Sequence, residues 1–178
     1  MSIKSILSNI FNEVSAQIDT ISEAQLNEFK NAIINANHLF LAGTGRSGLM
    51  ISAFANRLMH LGKSVSLISE ISKPKATKGD LLILGSNSGE TKSLIVYAKQ
   101  AKELGINIIL LTANSSSNLA KLADSIIVTP INVVKLSQPM GSTFEQLSLL
   151  IYDSLVYSLM EELQQTPEMM KCRHANIE

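Results

Sequence analysis

Apolar residues recur at three- and four-residue spacing at the start of the chain, which predicts two helices within residues 1–36. The first helix has an apolar face formed by Ile3, Ile6, Leu7, Ile10, Val14 and Ile18. The second is expected to begin at Ser22, because a serine followed three residues later by Gln25 matches a capping box. Its apolar face consists of Leu26, Phe29, Ile33 and Ile34.

From His38 onward, short apolar runs alternate with helical segments. The runs predicted to be strands are "HLFLAG", "SVSLIS", "GDLLILG", "INIILLT" and "DSIIVTP", the last of which ends at Pro130. The segments predicted to be helices are "SGLMISAFANRLMHLG", "ETKSLIVYAKQAKELG" and "SSNLAKLA". This alternation indicates a parallel sheet that helices cover on both faces. We therefore predict an α/β fold, a three-layer sandwich with a five-stranded parallel sheet flanked by helices.

A last long helix is predicted at Ser142–Leu163, and its apolar residues wrap around more than one face. Such a helix is buried on most sides. A single α/β domain has little room to bury it alone, so we expect it to form part of a subunit interface. After Pro167, the polar tail "EMMKCRHANIE" runs to Glu178. The chain is predicted to be one domain, with N-terminal helices at 1–36, an α/β core at 38–163 and a tail at 164–178.

Composition and charge narrow the functional classes. The 178 residues suit one domain, and 15 basic residues balance 15 acidic ones, which argues against a nucleic-acid binder. Cys172 is the only cysteine, so neither a disulfide framework nor a cysteine-only metal site is expected. No apolar run approaches the length of a membrane span, and the N-terminus lacks the apolar core of a signal peptide. We expect a cytoplasmic protein that binds neither nucleic acid nor a membrane.

The sequence "GTGRSG" at Gly43–Gly48 lies between a predicted strand and a predicted helix. It matches the dinucleotide-binding fingerprint, and Glu70 follows near the end of the next strand, where an acid would bind a ribose. The motif does not specify a dinucleotide, because glycines let the backbone approach any ligand and a helix N-terminus attracts any phosphate. Ser47 adds a hydroxyl at the expected N-cap. A tight turn without a ligand is the alternative.

A second loop, "GSNSGET" at Gly85–Thr91, again separates an apolar strand from a helix. It offers hydroxyls, an amide and the free N–H groups of a helix start, through Ser86, Asn87, Ser88 and Thr91. Such groups form a neutral nest for a phosphate dianion without a lysine. The alternative is a well-capped helix, with Ser88 or Thr91 as the cap. A dinucleotide-binding domain has no need of this loop, so we expect both loops to flank one small phosphorylated molecule where the strand order reverses.

The motifs "GTGRSG", "RLMHLG" and "GSNSGET" resemble those of the sugar isomerase (SIS) domain family, which binds phosphosugars. Within that family, "RLMHLG", "PMGSTFE" and the terminal "RHANIE" are similar to the 6-phospho-3-hexuloisomerase branch. The resemblance covers His38–Glu178 and includes the two leading helices. It implies a SIS-type, flavodoxin-like sheet and a homotetramer without metal or organic cofactor. The implied reaction interconverts D-arabino-hex-3-ulose 6-phosphate and D-fructose 6-phosphate in the ribulose monophosphate pathway of formaldehyde fixation.

The resemblance also implies roles for individual residues. The substrate-binding residues are Ser47 and the loop residues Ser86, Asn87, Ser88, Gly89, Glu90 and Thr91. Glu145 matches the proton acceptor, and His174 matches a histidine supplied across a subunit interface. The sequence departs from the family at Asn87, where relatives often have glycine, and in "SEISKP", which leaves substrate contacts near Glu70 open.

The implied chemistry needs a base and a second polar group. Moving a carbonyl from C3 to C2 removes the C2 proton, forms a planar enediol and returns a proton to C3, which one carboxylate can do. An imidazole suits the transfer of charge between the two oxygens near neutral pH. From the residues alone, Glu145 also fits a capping box with Ser142, and His174 also fits a solvated tail.

The sequence leaves more than one role open for Glu90 and Arg46, and more than one activity open for the protein. Glu90 is a rival base, but a phosphate beside it would repel a carboxylate, so we expect it to have an orienting role. Arg46 fits pairing with phosphate, pairing with Glu145 or a position in solvent. An isomerase for another sugar phosphate fits the same residues, and a phosphosugar sensor would keep the serine loop without needing Glu145 and His174. The interpretation as a nicotinamide-binding domain rests on "GTGRSG" and Glu70, but the chain is too short to contain a substrate domain as well.

Overall fold

A five-stranded parallel sheet forms the centre of the molecule. The structure is a computed structural model, and it describes residues 1–129 and 138–177. The strands are β1 (Leu39–Gly43), β2 (Val65–Leu67), β3 (Leu81–Gly85), β4 (Asn107–Thr112) and β5 (Ser125–Val128), in the order β2-β1-β3-β4-β5. All neighbouring pairs are parallel, which confirms the predicted sheet. Pro130, the predicted end of the last strand, and Glu178 of the terminal motif lie outside the described residues.

Helices cover both faces of the sheet. They are α1 (Ile3–Ser15), α2 (Glu23–Asn35), α3 (Gly45–His60), α4 (Lys92–Glu103), α5 (Asn118–Leu122), α6 (Ser142–Glu162) and α7 (Pro167–Lys171), with a 3-10 helix at Ile18–Thr20. Leu39 and Leu41 of β1 pack with α2, α3 and α6, whereas Phe40 packs with α4 and α5 on the other face. Alternate residues of the strand therefore pack into the hydrophobic cores on opposite faces of the sheet. None of the helices in the described residues is long and apolar enough to cross a membrane.

The loops that follow β1 and β3 lie side by side at one edge of the sheet. β1 leads to β2 on one side, whereas β3 leads to β4 and β5 on the other, so the strand order reverses between β1 and β3. Gly43 at the end of β1 pairs in register with Gly85 at the end of β3. The two loops therefore flank the point where open parallel sheets bind ligands, as predicted.

The helix α6 is buried by its own chain, which contradicts one prediction. It packs against α3, α2 and α1. Its buried apolar residues are Phe144, Leu147, Ile151, Tyr152, Leu155, Val156 and Leu159. The expectation that a single chain has little room to bury the helix predicted at Ser142–Leu163 was wrong, because α1 and α2 add Val14, Phe29 and Ile33 to the same core. The place of this helix in a subunit interface stays a prediction.

The helix α1 presents an apolar stripe to the outside of the chain. Ile3, Leu7 and Phe11 recur every four residues and are 86%, 65% and 70% exposed. Towards the end of α1, Val14 is buried and the Glu13 carboxylate accepts a hydrogen bond from a threonine of α6. The last turns of α1 are thus anchored, while the preceding turns expose a surface that soluble monomers rarely leave uncovered.

The tail folds back onto its own chain as a short helix. Pro167 occupies the first turn of α7, where proline is favoured. Met170 is buried, and the Arg173 guanidinium donates to His60 O and to Gln165 Oε1, both at 2.9 Å. The polar tail that the sequence indicates is therefore docked on its own chain by a methionine and an arginine.

Candidate active site

The N-terminus of α4 faces the loop after β3 without a side-chain cap. Thr91 is the N-cap residue, but its side chain makes no capping hydrogen bond within the described structure, and the first turn of α4 contains no acidic residue. The Ser88 hydroxyl accepts a hydrogen bond from the Glu90 N–H at 3.2 Å and does not serve the helix. The well-capped helix, which the sequence left possible, is therefore not observed. Uncapped N–H groups and the positive end of the helix dipole favour an anion here.

The loop between β3 and α4 is braced by the segment that runs from the end of β4 to the start of α5. Three of its carbonyl oxygens accept hydrogen bonds from that segment: Asn87 O from Thr112 Oγ1 and Ala113 N, Ser88 O from Asn114 Nδ2, and Gly89 O from Leu119 N. These hydrogen bonds hold the backbone of the loop in one shape.

Gly89 permits the conformation of this loop. Its φ of 66° lies in the left-handed region that favours glycine, and a methyl group there would collide with Ser117 Oγ. The Gly89 N–H donates to Ser86 Oγ at 3.1 Å, and Ser86 Oγ lies 3.4 Å from Thr91 Oγ1. Ser86 is buried, whereas Ser88 is exposed and Thr91 half-buried. Ser86 therefore holds the loop together, while Ser88 and Thr91 are accessible to a ligand.

Glu90 is engaged by the start of α5. Its carboxylate accepts hydrogen bonds from the backbone N–H and the side-chain amide of Asn118, at 2.9 and 2.7 Å. These bonds, chiefly the one from the backbone, hold the pKa of Glu90 below its ordinary value. An ionised carboxylate bound to another loop suits an orienting role. Contact between Glu90 and a substrate stays a prediction.

The helix α3 begins earlier than the predicted cap. Thr44 is the N-cap residue, and the Gly48 N–H donates to Thr44 O, which closes the first turn. The expectation that Ser47 is the N-cap was therefore wrong. Ser47 lies inside the first turn and is half-buried. Its contact with a substrate stays a prediction.

Glu145 lies in the first turn of α6 and pairs with an arginine of the first loop. Glu145 Oε2 lies 2.9 Å from Arg46 Nη1, and the same nitrogen donates to Ser142 Oγ at 2.9 Å. The side chain of Glu145 is 15% exposed and that of Arg46 54% exposed. Gly141 is the N-cap and Ser142 Oγ donates to Pro139 O, so the capping box is not formed. Of the three roles left open for Arg46, the structure shows pairing with Glu145.

Asn87 brings the loop after β3 close to Glu145 at the start of α6. A methyl group on Gly141 would lie 2.7 Å from Asn87 Nδ2 and 3.9 Å from Glu145 Oε1. The amide and the carboxylate therefore border the same point at the start of α6, with Arg46 beside them. This arrangement can bind an anion at the loop and move a proton at Glu145.

His174 lies elsewhere in the chain. Its ring stacks on that of His60 with the centroids 5.2 Å apart, and it lines a cavity of ≈ 370 Å³ with Val156 and Met160 of α6. At a helical rise of about 1.5 Å per residue, these two residues lie about 16 and 22 Å from Glu145 along α6. Burial, and to a smaller extent the charge of His174, lowers the pKa of His60. One chain therefore does not bring Glu145 and His174 together.

The remaining candidates do not join this site. Glu70 follows β2 and borders a small cavity with Val65 and Leu67 at the edge of the sheet, away from the junction of β1 and β3. Cys172 is exposed in the tail. Within residues 1–129 and 138–177, no group of three or more His, Cys, Asp or Glu side chains is placed to hold a metal ion.

The sequence analysis missed Tyr152, which follows Glu145 by seven residues on α6. Two helical turns separate them, so both lie on the same side of the helix. The Tyr152 hydroxyl is buried without a hydrogen-bond partner among the described residues. The seven-residue spacing was the available signal, but an aromatic residue in an apolar helix is more simply interpreted as core.

Comparison with known proteins identifies the family. The SIS domain model matches residues 32–156. A curated relative from Bacillus subtilis (strain 168), named 3-hexulose-6-phosphate isomerase, is 42% identical over an alignment 179 residues long, which covers 97% of this chain and 97% of its own. A second relative of that name, from Methanocaldococcus jannaschii, is 38% identical over 154 residues, 86% of this chain and 84% of its own. A crystal structure from Methanococcus jannaschii, from which the same function was inferred, has a TM-score of 0.88 at 33% identity and covers 98% of this chain and 99% of its own. The chain therefore belongs to the SIS domain family.

Proposed function

We propose that the protein is a sugar-phosphate isomerase that interconverts D-arabino-hex-3-ulose 6-phosphate and D-fructose 6-phosphate. The observation that carries this proposal is the Glu145 carboxylate, which pairs with Arg46 and borders Asn87 of the loop after β3. The relatives named 3-hexulose-6-phosphate isomerase support the choice of substrate. In the cytoplasm, this reaction is the second step of formaldehyde fixation by the ribulose monophosphate pathway.

The phosphate of the substrate binds the loop after β3. The hydroxyls of Ser88 and Thr91 and the N–H groups of the first turn of α4 supply donors, and the positive end of the helix dipole attracts the dianion. Ser47 adds a hydroxyl from the loop after β1. A nest of neutral donors needs no lysine to hold a phosphate.

Glu145 acts as the base that moves a proton between adjacent carbons. It removes the C2 proton of the 3-ketose, the electron pair forms a C2–C3 double bond, and the C3 oxygen gains a proton. Glu145 then delivers the proton to C3, while the C2 hydroxyl loses its proton and becomes the carbonyl. Because the enediol is planar, one carboxylate reaches both carbons. Arg46 holds Oε2, which leaves Oε1 on the side of Asn87.

The proton exchange between the two oxygens is assigned to His174 of a neighbouring subunit. An imidazole suits this task because it both gains and loses a proton near neutral pH. The separation of His174 from Glu145 within one chain supports its supply in trans. The apolar stripe of Ile3, Leu7 and Phe11 on α1 supports an assembly, because a neighbouring subunit would cover it. We propose a homotetramer in which active sites are shared between subunits.

The test is to incubate the protein with D-fructose 6-phosphate in D₂O and to follow the sugar by NMR. The 3-ketose should appear, and deuterium should enter C3 of D-fructose 6-phosphate, because the enediol exchanges its proton with solvent. EDTA should leave the rate unchanged. Binding of D-fructose 6-phosphate without 3-ketose or deuterium exchange would indicate a sensor. Exchange in a different sugar phosphate alone would reassign the substrate.

A further inference from the structure

The Tyr152 hydroxyl is buried at the junction of β3, α3 and α6. The ring stacks on Phe54 of α3, with the centroids 4.5 Å apart and the planes at 9°. Tyr152 is 1% exposed, and its Oη has no hydrogen-bond partner among the described residues. Oη lies 2.9 Å from the position that a methyl group on Gly85 would take, and Ile51 Cδ1 lies 3.5 Å from that position. The hydroxyl therefore occupies the space beside Gly85 at the end of β3.

A buried hydroxyl without a partner destabilises the folded state. Phenylalanine at this position would provide the same stacking without burying a hydroxyl. Because nearly all buried polar groups in proteins have partners, the unpartnered hydroxyl of Tyr152 needs an explanation. Burial raises the pKa of the Tyr152 phenol. The hydroxyl therefore keeps its proton across the neutral range and is available as a donor.

The position of this hydroxyl relates it to the candidate site. Tyr152 lies two turns beyond Glu145, about 10 Å along the same side of α6. Long side chains in helices lean towards the N-terminus, which directs the phenol towards the turn that carries Glu145. Gly85, which Oη approaches, immediately precedes the loop that brings Asn87 to Glu145. The hydroxyl thus lies beside the last residue of β3, directly before that loop.

We propose that Tyr152 is a substrate-binding residue whose hydroxyl gains its hydrogen-bond partner when a sugar phosphate occupies the site. This inference rests on the proposed function for the class of ligand. A neutral donor suits a carbonyl or hydroxyl oxygen of the sugar, whereas the loop after β3 binds the phosphate. Tyr152 therefore contributes to the recognition of the sugar and not of inorganic phosphate.

The variant Tyr152→Phe tests this assignment, with Tyr157→Phe as the matched control. Both changes remove one phenol oxygen from α6, but Tyr157 is 79% exposed. Without ligand, Tyr152→Phe should raise the thermal midpoint by a few degrees, because an unpaired buried hydroxyl is removed. The rise in midpoint caused by D-fructose 6-phosphate should shrink and KM should increase about tenfold, as expected for one lost hydrogen bond. The rise caused by inorganic phosphate should equal that of the wild type, and Tyr157→Phe should change none of these values.

Two results would overturn the proposal. A lower ligand-free midpoint for Tyr152→Phe would mean that the hydroxyl has a structural partner, and an unchanged response to D-fructose 6-phosphate would mean that it does not touch the sugar. The proposed function would be refuted if another sugar phosphate stabilises the wild-type protein but the protein isomerises no sugar phosphate. In that case, the thermal midpoints of the wild type and Tyr152→Phe with that compound would still decide the role of Tyr152. If no sugar phosphate stabilises the wild type, the assignment of Tyr152 is also wrong.

Discussion

At the scale of residues, the ion pair between Glu145 and Arg46 determines what the candidate site can do. Arg46 is 54% exposed, so the pair adds little to stability, since solvent screens such interactions. Its effect is to fix the direction of the carboxylate. Arg46 Nη1 also binds Ser142 Oγ, which ties the loop after β1 to the first turn of α6.

Replacing Glu145 with glutamine removes the base but keeps a side chain that Arg46 can bind. We expect Glu145→Gln to lower kcat by at least about two orders of magnitude, the range for a lost general base, with little change in KM. Steady-state kinetics with D-fructose 6-phosphate measure this. Glu161→Gln, an exposed carboxylate on the same helix, is the control. Near-normal turnover of Glu145→Gln would reassign the base, and Glu90 would be examined next.

The Ser88 hydroxyl should affect binding more than chemistry. It is exposed in the loop after β3, which we propose binds the phosphate, so Ser88→Ala should raise KM and lower kcat only mildly. Ser115→Ala, an exposed serine of the next loop, provides the comparison. An unchanged KM together with a large fall in kcat would place Ser88 near the reacting carbons and away from the phosphate.

At the scale of elements, β3 and α6 are fitted to each other at Gly85 and Tyr152. A methyl group on Gly85 would come within 2.9 Å of Tyr152 Oη, so Gly85→Ala should cost about 1–3 kcal/mol by overpacking. In the Tyr152→Phe background the oxygen is gone and most of this cost should disappear. Urea denaturation of both single variants and the double variant measures the coupling. Equal costs in the two backgrounds would show that the hydroxyl does not limit the space at Gly85.

The elements that the sequence predicted best are those whose signal is local. Runs such as "LLILG" of β3 are apolar throughout because both faces of a parallel strand are buried, so strands and their order of succession are visible in the pattern. The two loops of the site were predicted for the same reason, since each follows such a run directly. The sequence also predicted Glu145 in the first turn of a helix. Pairing with Glu145 was only one of the three roles that the sequence left open for Arg46.

Packing between distant segments is what the sequence could not predict. That α6 is covered by Val14 and Phe29 of its own chain cannot be inferred from a helix that is apolar all round. The docking of the tail depends on Arg173 reaching His60 O, a contact between residues far apart in sequence. Tyr152 was missed because a buried phenol without a partner is defined only by its surroundings.

At the scale of the whole molecule, the separation of Glu145 and His174 predicts that activity depends on assembly. Glu145→Gln and His174→Ala subunits should each be inactive alone, and exchange between them should restore part of the activity. In random hybrids about a quarter of the sites combine both wild-type groups, because each site draws one group from each of two chains. Activity after mixing, with exchange verified by mass spectrometry, measures this.

Two controls accompany the mixing experiment. Each variant alone must keep the size of the wild-type assembly, since a dissociated variant would be inactive for a different reason. Truncation after Arg173 keeps the contact with His60 O and should preserve the fold while it abolishes activity. Exchange without any recovery would show that Glu145 and His174 act from one chain, or that His174 has no part in the reaction.

The bracing of the loop after β3 has a consequence for the speed of ligand capture. The carbonyls of Asn87, Ser88 and Gly89 accept hydrogen bonds from residues between the end of β4 and the start of α5. We therefore expect this loop to lose little backbone freedom on binding and to need no slow closing step of its own. The observed association rate should rise in proportion to ligand concentration without reaching a plateau. Between turnovers the loop would be ready at once, so the chemical step or product departure would set the pace of the cycle.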